Sequence, residues 1–190
     1  MWQAWFGVVP EETIDLIIAE CDKYPVEKAT IGPAGETVND KYRNSDVSWV
    51  DPNVPESNII TNMIMYHVNY ANRQAFGFNI GSQIYDIQYT IYNGDSKNPG
   101  EYKWHMDSFL HSAPRSFDRK LSVIIQLSDS DDYEGGDFLL DPGLEGPPPE
   151  EMRKKGTIFI FPSFLKHCVT PVTSGTRKSL VSWIEGPKFI

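Results

Sequence analysis

Cysteine is almost missing from this chain. The two present, Cys21 and Cys168, lie far apart and form no zinc or redox spacing. A pair of free thiols fits a reducing, cytoplasm-like compartment. Positive charge is short too, with 17 lysines and arginines against 26 acids and a net charge of −9. A nucleic-acid backbone and an anionic membrane surface both want a basic stripe, so neither is expected as a partner. No basic-then-apolar leader opens the sequence and no apolar run approaches a membrane span, so a cytoplasmic location is expected. Internal repeats are absent. Histidine is scarce, with only His67, His105, His111 and His167.

At 190 residues and 40% hydrophobic content, the chain has enough material for one well-formed core and too little for two. Residues 1–190 are therefore expected to form a single domain. Its 13% aromatic content, with 14 glycines and 14 prolines, suits strands and turns.

Val9-Pro10-Glu11-Glu12 reads as a helix start, and Ile14, Ile17, Ile18 and Cys21 follow at helical spacing until Pro25. Residues 26–54 read as irregular, with the polar segment Tyr42–Asp46 as a candidate loop over a site. A second helix is predicted from Pro55 or Glu56 to Phe76. Ile60, Met63, Ile64, His67 and Ala71 form its stripe and Gly77 its cap. His67 on that stripe reads as a packing residue.

From Ile84 the period changes to two. Tyr85, Ile87, Tyr89 and Ile91 alternate with Asp86, Gln88, Thr90 and Tyr92, and Asn93-Gly94 marks a turn. Short strands are predicted over 102–107, 120–127, 138–140, 157–161, 166–170 and 177–184. Breaks fall at Gly135-Gly136, at 142–156 with its three prolines as a solvated hairpin excursion, and at Ser174-Gly175. In the strand Leu121–Leu127 the odd positions are wholly apolar and suit packing on the helices. Ser122, Ile124 and Gln126 suit lining a small polar pocket. Helices over about 1–80 packed outside a strand-rich core over about 84–186 predict a mainly β double-stranded β-helix, a cupin-like jelly roll.

His105 and Asp107 are two residues apart, so on a strand both side chains would leave one face and could grip a metal ion. One more histidine completes the facial set of two imidazoles and a carboxylate that suits non-haem Fe(II), and His167 follows a strand where that ligand should lie.

The stretch Phe159–Ser179 carries His167-x-Val169-x-Pro171-Val172 and then Arg177, ten residues past the histidine. With His105-x-Asp107, Glu134-Gly135-Gly136-Asp137 and the late Trp183, this order resembles the 2-oxoglutarate-dependent Fe(II) oxygenases. It is most similar to the prolyl hydroxylase-like branch and the bacterial PKHD-type hydroxylases, over about residues 84–186. The resemblance implies that His105, Asp107 and His167 bind Fe(II) and leave three positions open for a bidentate cosubstrate and O2. It places Arg177 on the far carboxylate of 2-oxoglutarate, for which a planar fork of donors is the natural complement. Ser179 shares that strand face, Tyr92 matches a cosubstrate-binding tyrosine, and Trp183 matches a pocket wall. Tyr102 fits the family's Tyr-x-x-His-x-Asp pattern as a packing residue. Gln126 stands where animal-type prolyl hydroxylases have a tyrosine, and its amide could substitute as a donor. The loop Phe109–Asp118, with His111 and Arg115 as candidate substrate contacts, could close over the site.

The implied activity is hydroxylation of a C–H bond, coupled to conversion of 2-oxoglutarate and O2 to succinate and CO2. The substrate would be a prolyl or other peptidyl residue, or a small molecule. Related halogenases lack the carboxylate that Asp107 supplies, which disfavours halogenation. An AlkB-like demethylase would carry a second arginine six past Arg177, where Trp183 stands. The reading from another class is a non-catalytic metal-binding cupin or jelly-roll module.

Overall fold

Strands account for most of the secondary structure in the computed structural model, which describes residues 1–31, 37–110, 115–141, 143 and 145–189. In chain order the elements are β1 (Gln3–Trp5), α1 (Glu11–Cys21), β2 (Glu27–Lys28), β3 (Arg43–Asn44), β4 (Asp46–Val50) and α2 (Asn58–Ala71). There follow β5 (Ile87–Asn93), β6 (Gly100–His105), β7 (Phe117–Gln126), β8 (Tyr133–Gly135), β9 (Phe138–Leu140), α3 (Pro149–Met152), β10 (Ile158–Pro162) and β11 (His167–Pro187).

All strand pairs are antiparallel. One sheet runs β1-β10-β7-β11-β5-β4-β2. A second is built on the first half of β11, which pairs with β6 on one edge and with β8 and β9 on the other, while β3 extends β6. The two sheets thus share one strand, and the predicted jelly roll with outer helices is what forms. No helix among the described residues is long and apolar enough to cross a membrane.

The main core lies between the helices and the first sheet. Ile14, Ile17 and Cys21 of α1 and Ile60, Ile64, Val68 and Ala71 of α2 pack on Leu121, Val123, Ile125 and Leu127, as the alternation along β7 predicts. Each such aliphatic side chain contributes about 1.5–3 kcal/mol on burial. The α2 stripe is rotated from the sequence reading. Val68 is in the core, whereas Met63 and His67 are only half-buried, with His67 Nδ1 against the Met63 carbonyl at 2.8 Å. A second core of Ile124, Phe138, Leu140, Phe159, Phe161 and Leu165 lies behind His167.

Several expectations need correction. The stretch 26–54 holds three strands, and the candidate loop Tyr42–Asp46 is mostly β3 and the start of β4, because its backbone pairs with β6 and β5. Asn93-Gly94 ends β5 where the turn signal lies, but the chain leads from there into β6 of the other sheet and not into a hairpin. The excursion after β9 is no hairpin either: β9 pairs with β11, β10 with β7, and α3 between them buries Met152. The largest change is at Ser174-Gly175, read as a break between two strands. β11 runs through it, pairing with β6 and β9 before it, with β8 up to and across it, and with β5 and β7 after it. Gly175, at φ 71°, makes the corner, and a Cβ there would run into the Asp132 carbonyl.

Candidate metal centre

Antiparallel register brings the two distant histidines together. His167, the first residue of β11, is the cross-strand partner of His105, the last of β6, and their rings lie 4.1 Å apart. Asp107 is beyond the end of β6, so strand alternation does not aim it as the sequence reading assumed. Its backbone N–H and that of Ser108 both donate to the Ser163 carbonyl, at 2.9 and 3.0 Å, which folds the chain back. Oδ1 of Asp107 then lies 3.6 Å from His105 Nε2, and Oδ2 lies 3.4 Å from His167 Nε2. One donor atom from each of the three residues falls within 4.8 Å of the others, the spacing of a metal ligand set.

The ring orientations suit ligation. Each Nδ1 faces a backbone carbonyl, Lys103 for His105 at 2.7 Å and Leu165 for His167 at 3.0 Å. A carbonyl only accepts, so Nδ1 carries the proton and Nε2 offers its lone pair to the centre. The Tyr102 ring stacks on His105 at 3.5 Å, and Phe161 meets His167 edge-on at 4.8 Å. Burial, then the neighbouring His167, pushes His105 down to about 3, so its ring is neutral. Burial alone would raise the Asp107 carboxyl. Interaction with the neighbouring His167 and His105, the charge of Arg119 and the Ser122 hydrogen bond outweigh it and hold the group at about 2, as a carboxylate.

A cavity of about 590 Å³ opens from this cluster. Four alternate residues of β11, Arg177, Ser179, Val181 and Trp183, line one wall, as period two dictates. Tyr92 is the cross-strand partner of Arg177 and also faces the cavity. Arg177 is 3% exposed. Among the described residues its guanidinium has no hydrogen bond or ion pair, only the Tyr92 ring at 5.6 Å. A buried cation without a counter-charge is costly, so the space beside Arg177 fits a carboxylate. Gly136, at φ 64°, lies against the Arg177 side chain, and a Cβ there would come within 3.1 Å of its Cδ. Burial raises the Tyr92 phenol, with Arg43 and Arg177 partly offsetting, so it stays protonated and can donate.

The remaining sequence candidates divide. Gln126 is not on the cavity wall. Its amide nitrogen donates to the Tyr133 hydroxyl at 3.0 Å and the Ser128 carbonyl at 3.3 Å, which is a correction to the idea that it reaches a cosubstrate. Arg115 lines the cavity, over the Phe109 ring at 4.1 Å. His111 lies outside the described residues. His67 is elsewhere, beside Trp5 and Tyr66.

The structure also adds residues that sequence reasoning missed. Trp49, Asp86, Gln88 and Arg119 line the cavity, beside Tyr42 and Arg43 of the segment read as lying over a site. Arg43 and Trp49 come from the stretch read as irregular, where two- and five-residue strands are too short for a period to show. Ser122 was placed on the pocket face by alternation, but its bond to Asp107 had no sequence signal.

Residues 87–185 match the family model described as the 2OG-Fe(II) oxygenase superfamily. A PKHD-type hydroxylase of Synechococcus sp. (strain CC9605) is 42% identical over 85 residues, which is 44% of this chain and 36% of that protein. The chain thus spans little more than a third of that relative's length. One from Prochlorococcus marinus (strain MIT 9301) is 29% identical over 184 residues, covering 92% of this chain and 73% of the relative. Among solved structures, a Pseudomonas putida prolyl-4-hydroxylase superposes with a TM-score of 0.71 at 19% identity, over 98% of this chain and 93% of that one. The 2OG complex of a viral collagen prolyl hydroxylase from Paramecium Bursaria Chlorella virus-1 gives 0.70 at 20% identity, over 97% and 96%. At these identities the two structures establish the shared fold.

Proposed function

This chain belongs to the 2OG-Fe(II) oxygenase superfamily, and from that premise we propose that it is an Fe(II)- and 2-oxoglutarate-dependent hydroxylase acting on a prolyl or other peptidyl residue. His105, Asp107 and His167 would hold the iron through two Nε2 atoms and a carboxylate oxygen, leaving adjacent positions open. The donor set supports this, with one neutral imidazole, both Nε2 atoms aimed inward and an ionised carboxylate. Bound Fe(II), with 2-oxoglutarate and O2, supplies oxidative decarboxylation to succinate and CO2 coupled to hydroxylation of a C–H bond.

The chain's own residues orient and exclude. Arg177 offers two parallel donors to the far carboxylate of the cosubstrate, with the Ser179 hydroxyl on the same face and the Tyr92 phenol across the register. Trp183, 7% exposed, and Val181 keep water from that wall. Residues 1–190 work as one unit in this reading, with α1 and α2 bracing the sheet that carries Arg177. A bare metal-binding module would need neither a cavity of about 590 Å³ nor a buried guanidinium facing it.

The observation that carries the proposal is Arg177, buried and unmatched in the same cavity as the three converging ligands. The peptidyl substrate is supported by the names of the relatives, PKHD-type hydroxylases, and of the superposed prolyl hydroxylases. Anaerobic titration of the protein with Fe(II) and 2-oxoglutarate should give the weak visible charge-transfer band of the chelate. No band, and no succinate above background in air, would overturn the reading.

A further inference from the structure

The cavity's charge does not match the chain's. A protein of net charge −9 lines the cavity beside the three candidate ligands with Arg43, Arg115, Arg119 and Arg177 against Asp86 and Asp107. In the reading above, Arg177 meets the cosubstrate and Asp107 meets the metal. The opposed charges of the metal and the two cosubstrate carboxylates then cancel those residues. Of the other lining arginines, Arg119 has the acids Asp86 and Glu185 near it, and Arg43 has no acid bound to it among the described residues.

Arg43 is the sharpest case. It is 8% exposed, and its cross-strand partner Tyr102 offers a ring face at 4.6 Å to the guanidinium carbon. Its hydrogen bonds go to neutral acceptors alone, Ser45 Oγ at 3.2 Å and the Thr30 carbonyl at 3.3 Å. Among the described residues no carboxylate reaches it. The Tyr102 ring is itself stacked on His105, so Arg43 stands one ring's thickness behind a metal ligand, in the same cavity wall. Arg119 lies over Trp183 at 3.8 Å, and only a single 3.3 Å contact ties it to the half-exposed Asp86. Its buried Nε has no partner among the described residues. Buried charges are ordinarily paired, so two under-paired guanidinium groups facing one cavity mark a place for an anion.

We infer that the substrate carries a carboxylate near the reacting C–H bond, and that Arg43, helped by Arg119, receives it. This rests on the oxygenase reading and adds a substrate class to it. The carboxylate comes from an acidic side chain of a peptide or from a small carboxylic acid, and the recognition chemistry is the same. The exposed Trp49 and Met106 on the cavity wall give an apolar surface for the rest of the substrate.

Two pools of prolyl peptides, alike except that Glu flanks the proline in one and Gln in the other, are titrated into protein loaded anaerobically with Fe(II) and 2-oxoglutarate. N-acetylproline and N-acetylprolinamide form the small-molecule arm. The Glu pool or N-acetylproline should bind at least about tenfold more tightly than its neutral counterpart, the range of a hydrogen-bonded charge. Arg43→Gln should level the two while the charge-transfer band of the cosubstrate persists. If the Gln variant does not fold, Arg43→Lys decides, since its retained charge should keep part of the preference. Equal binding of charged and neutral probes, or binding of none, overturns the inference. So does loss of the cosubstrate band in folded Arg43→Gln, which would assign Arg43 to 2-oxoglutarate. A missing band in the parent with the carboxylate preference intact would instead overturn the oxygenase reading and leave the anion site standing.

Discussion

Ser163 holds Asp107 at both ends. Its carbonyl accepts the Asp107 backbone N–H at 2.9 Å, and its hydroxyl lies 2.9 Å from Ser122 Oγ, which in turn donates to Asp107 Oδ2 at 2.6 Å. A carboxylate only accepts, so the order of donation runs from Ser163 to Ser122 to Asp107. Both serines are fully buried, so the chain of hydroxyls is not diluted by solvent. Ser122→Ala should therefore weaken Fe(II) or Co(II) binding by about 10–100-fold, the usual effect of removing a group that orients a metal ligand. Competition against a metal indicator measures this directly, and an unchanged affinity would remove Ser122 from the account of the site.

Arg177→Ala should raise the dissociation constant for 2-oxoglutarate by about thirtyfold, equivalent to about 2 kcal/mol for a lost charge-assisted contact. Metal affinity without cosubstrate should stay near that of the parent, because Arg177 touches none of the three ligands. The charge-transfer band, titrated with 2-oxoglutarate at fixed Fe(II), reports both. An unchanged midpoint would mean that the buried guanidinium serves something else.

Phe161 fills the second core and meets the His167 ring edge-on at 4.8 Å. Phe161→Ala should cost about 3–5 kcal/mol of stability, since the site is surrounded by Phe138 and Phe159 and cannot collapse around the gap. Urea unfolding gives the number. Metal affinity should fall in the same variant, and Phe161→Leu should recover most of both.

The pH dependence at the alkaline end has a defined sign. Burial, followed by Asp22 and Glu20, raises the Cys21 thiol from 9.0 to about 12. The folded protein therefore binds that proton more tightly than the unfolded chain. The stability this contributes is complete below pH 9.0 and is lost as pH climbs toward about 12. Cys21→Ala should show a shallower loss of urea stability between pH 8 and pH 11 than the parent. Equal slopes would indicate that other groups, such as the buried Tyr89, dominate.

Gly175→Ala tests the corner of β11. At φ 71°, with the Asp132 carbonyl where a Cβ would go, the substitution should destabilise by more than the roughly 1 kcal/mol usual for a strained turn glycine. Circular dichroism melting is sufficient to check it.

What the sequence revealed of this molecule followed from periods. Alternation along Leu121–Leu127 sent one face to the helices and Ile124 to the cavity wall, with Ser122 buried behind it against Asp107, and alternation from Arg177 put Ser179 and Trp183 on one wall. The scarcity of histidine and the strand before it pointed to His167, the family resemblance added Arg177, and the register of β6 on β11 gives the histidines their geometry. Arg119 was not legible as a site residue, and Arg43 only as one of a polar segment over a site. Their place depends on which strands become neighbours in space, and β3 is too short to carry a pattern of its own. Gln126 was misplaced because alternation fixes a face of the strand but not how far along that face the cavity extends. Ser174-Gly175 carries turn chemistry, and the chain does turn there, but inside a continuous strand.

β11 follows every one of its pairing partners in the chain. While the protein is being synthesised, β5, β6, β7, β8 and β9 all leave the ribosome before the ribbon that joins them. Before that moment only β5, β6 and β7 have another strand to pair with, β4, β3 and β10 respectively. The nascent chain then presents His105 and Asp107 without His167, and Arg43 and Arg119 without Arg177. The three candidate ligands therefore come together only once β11 has joined its partners.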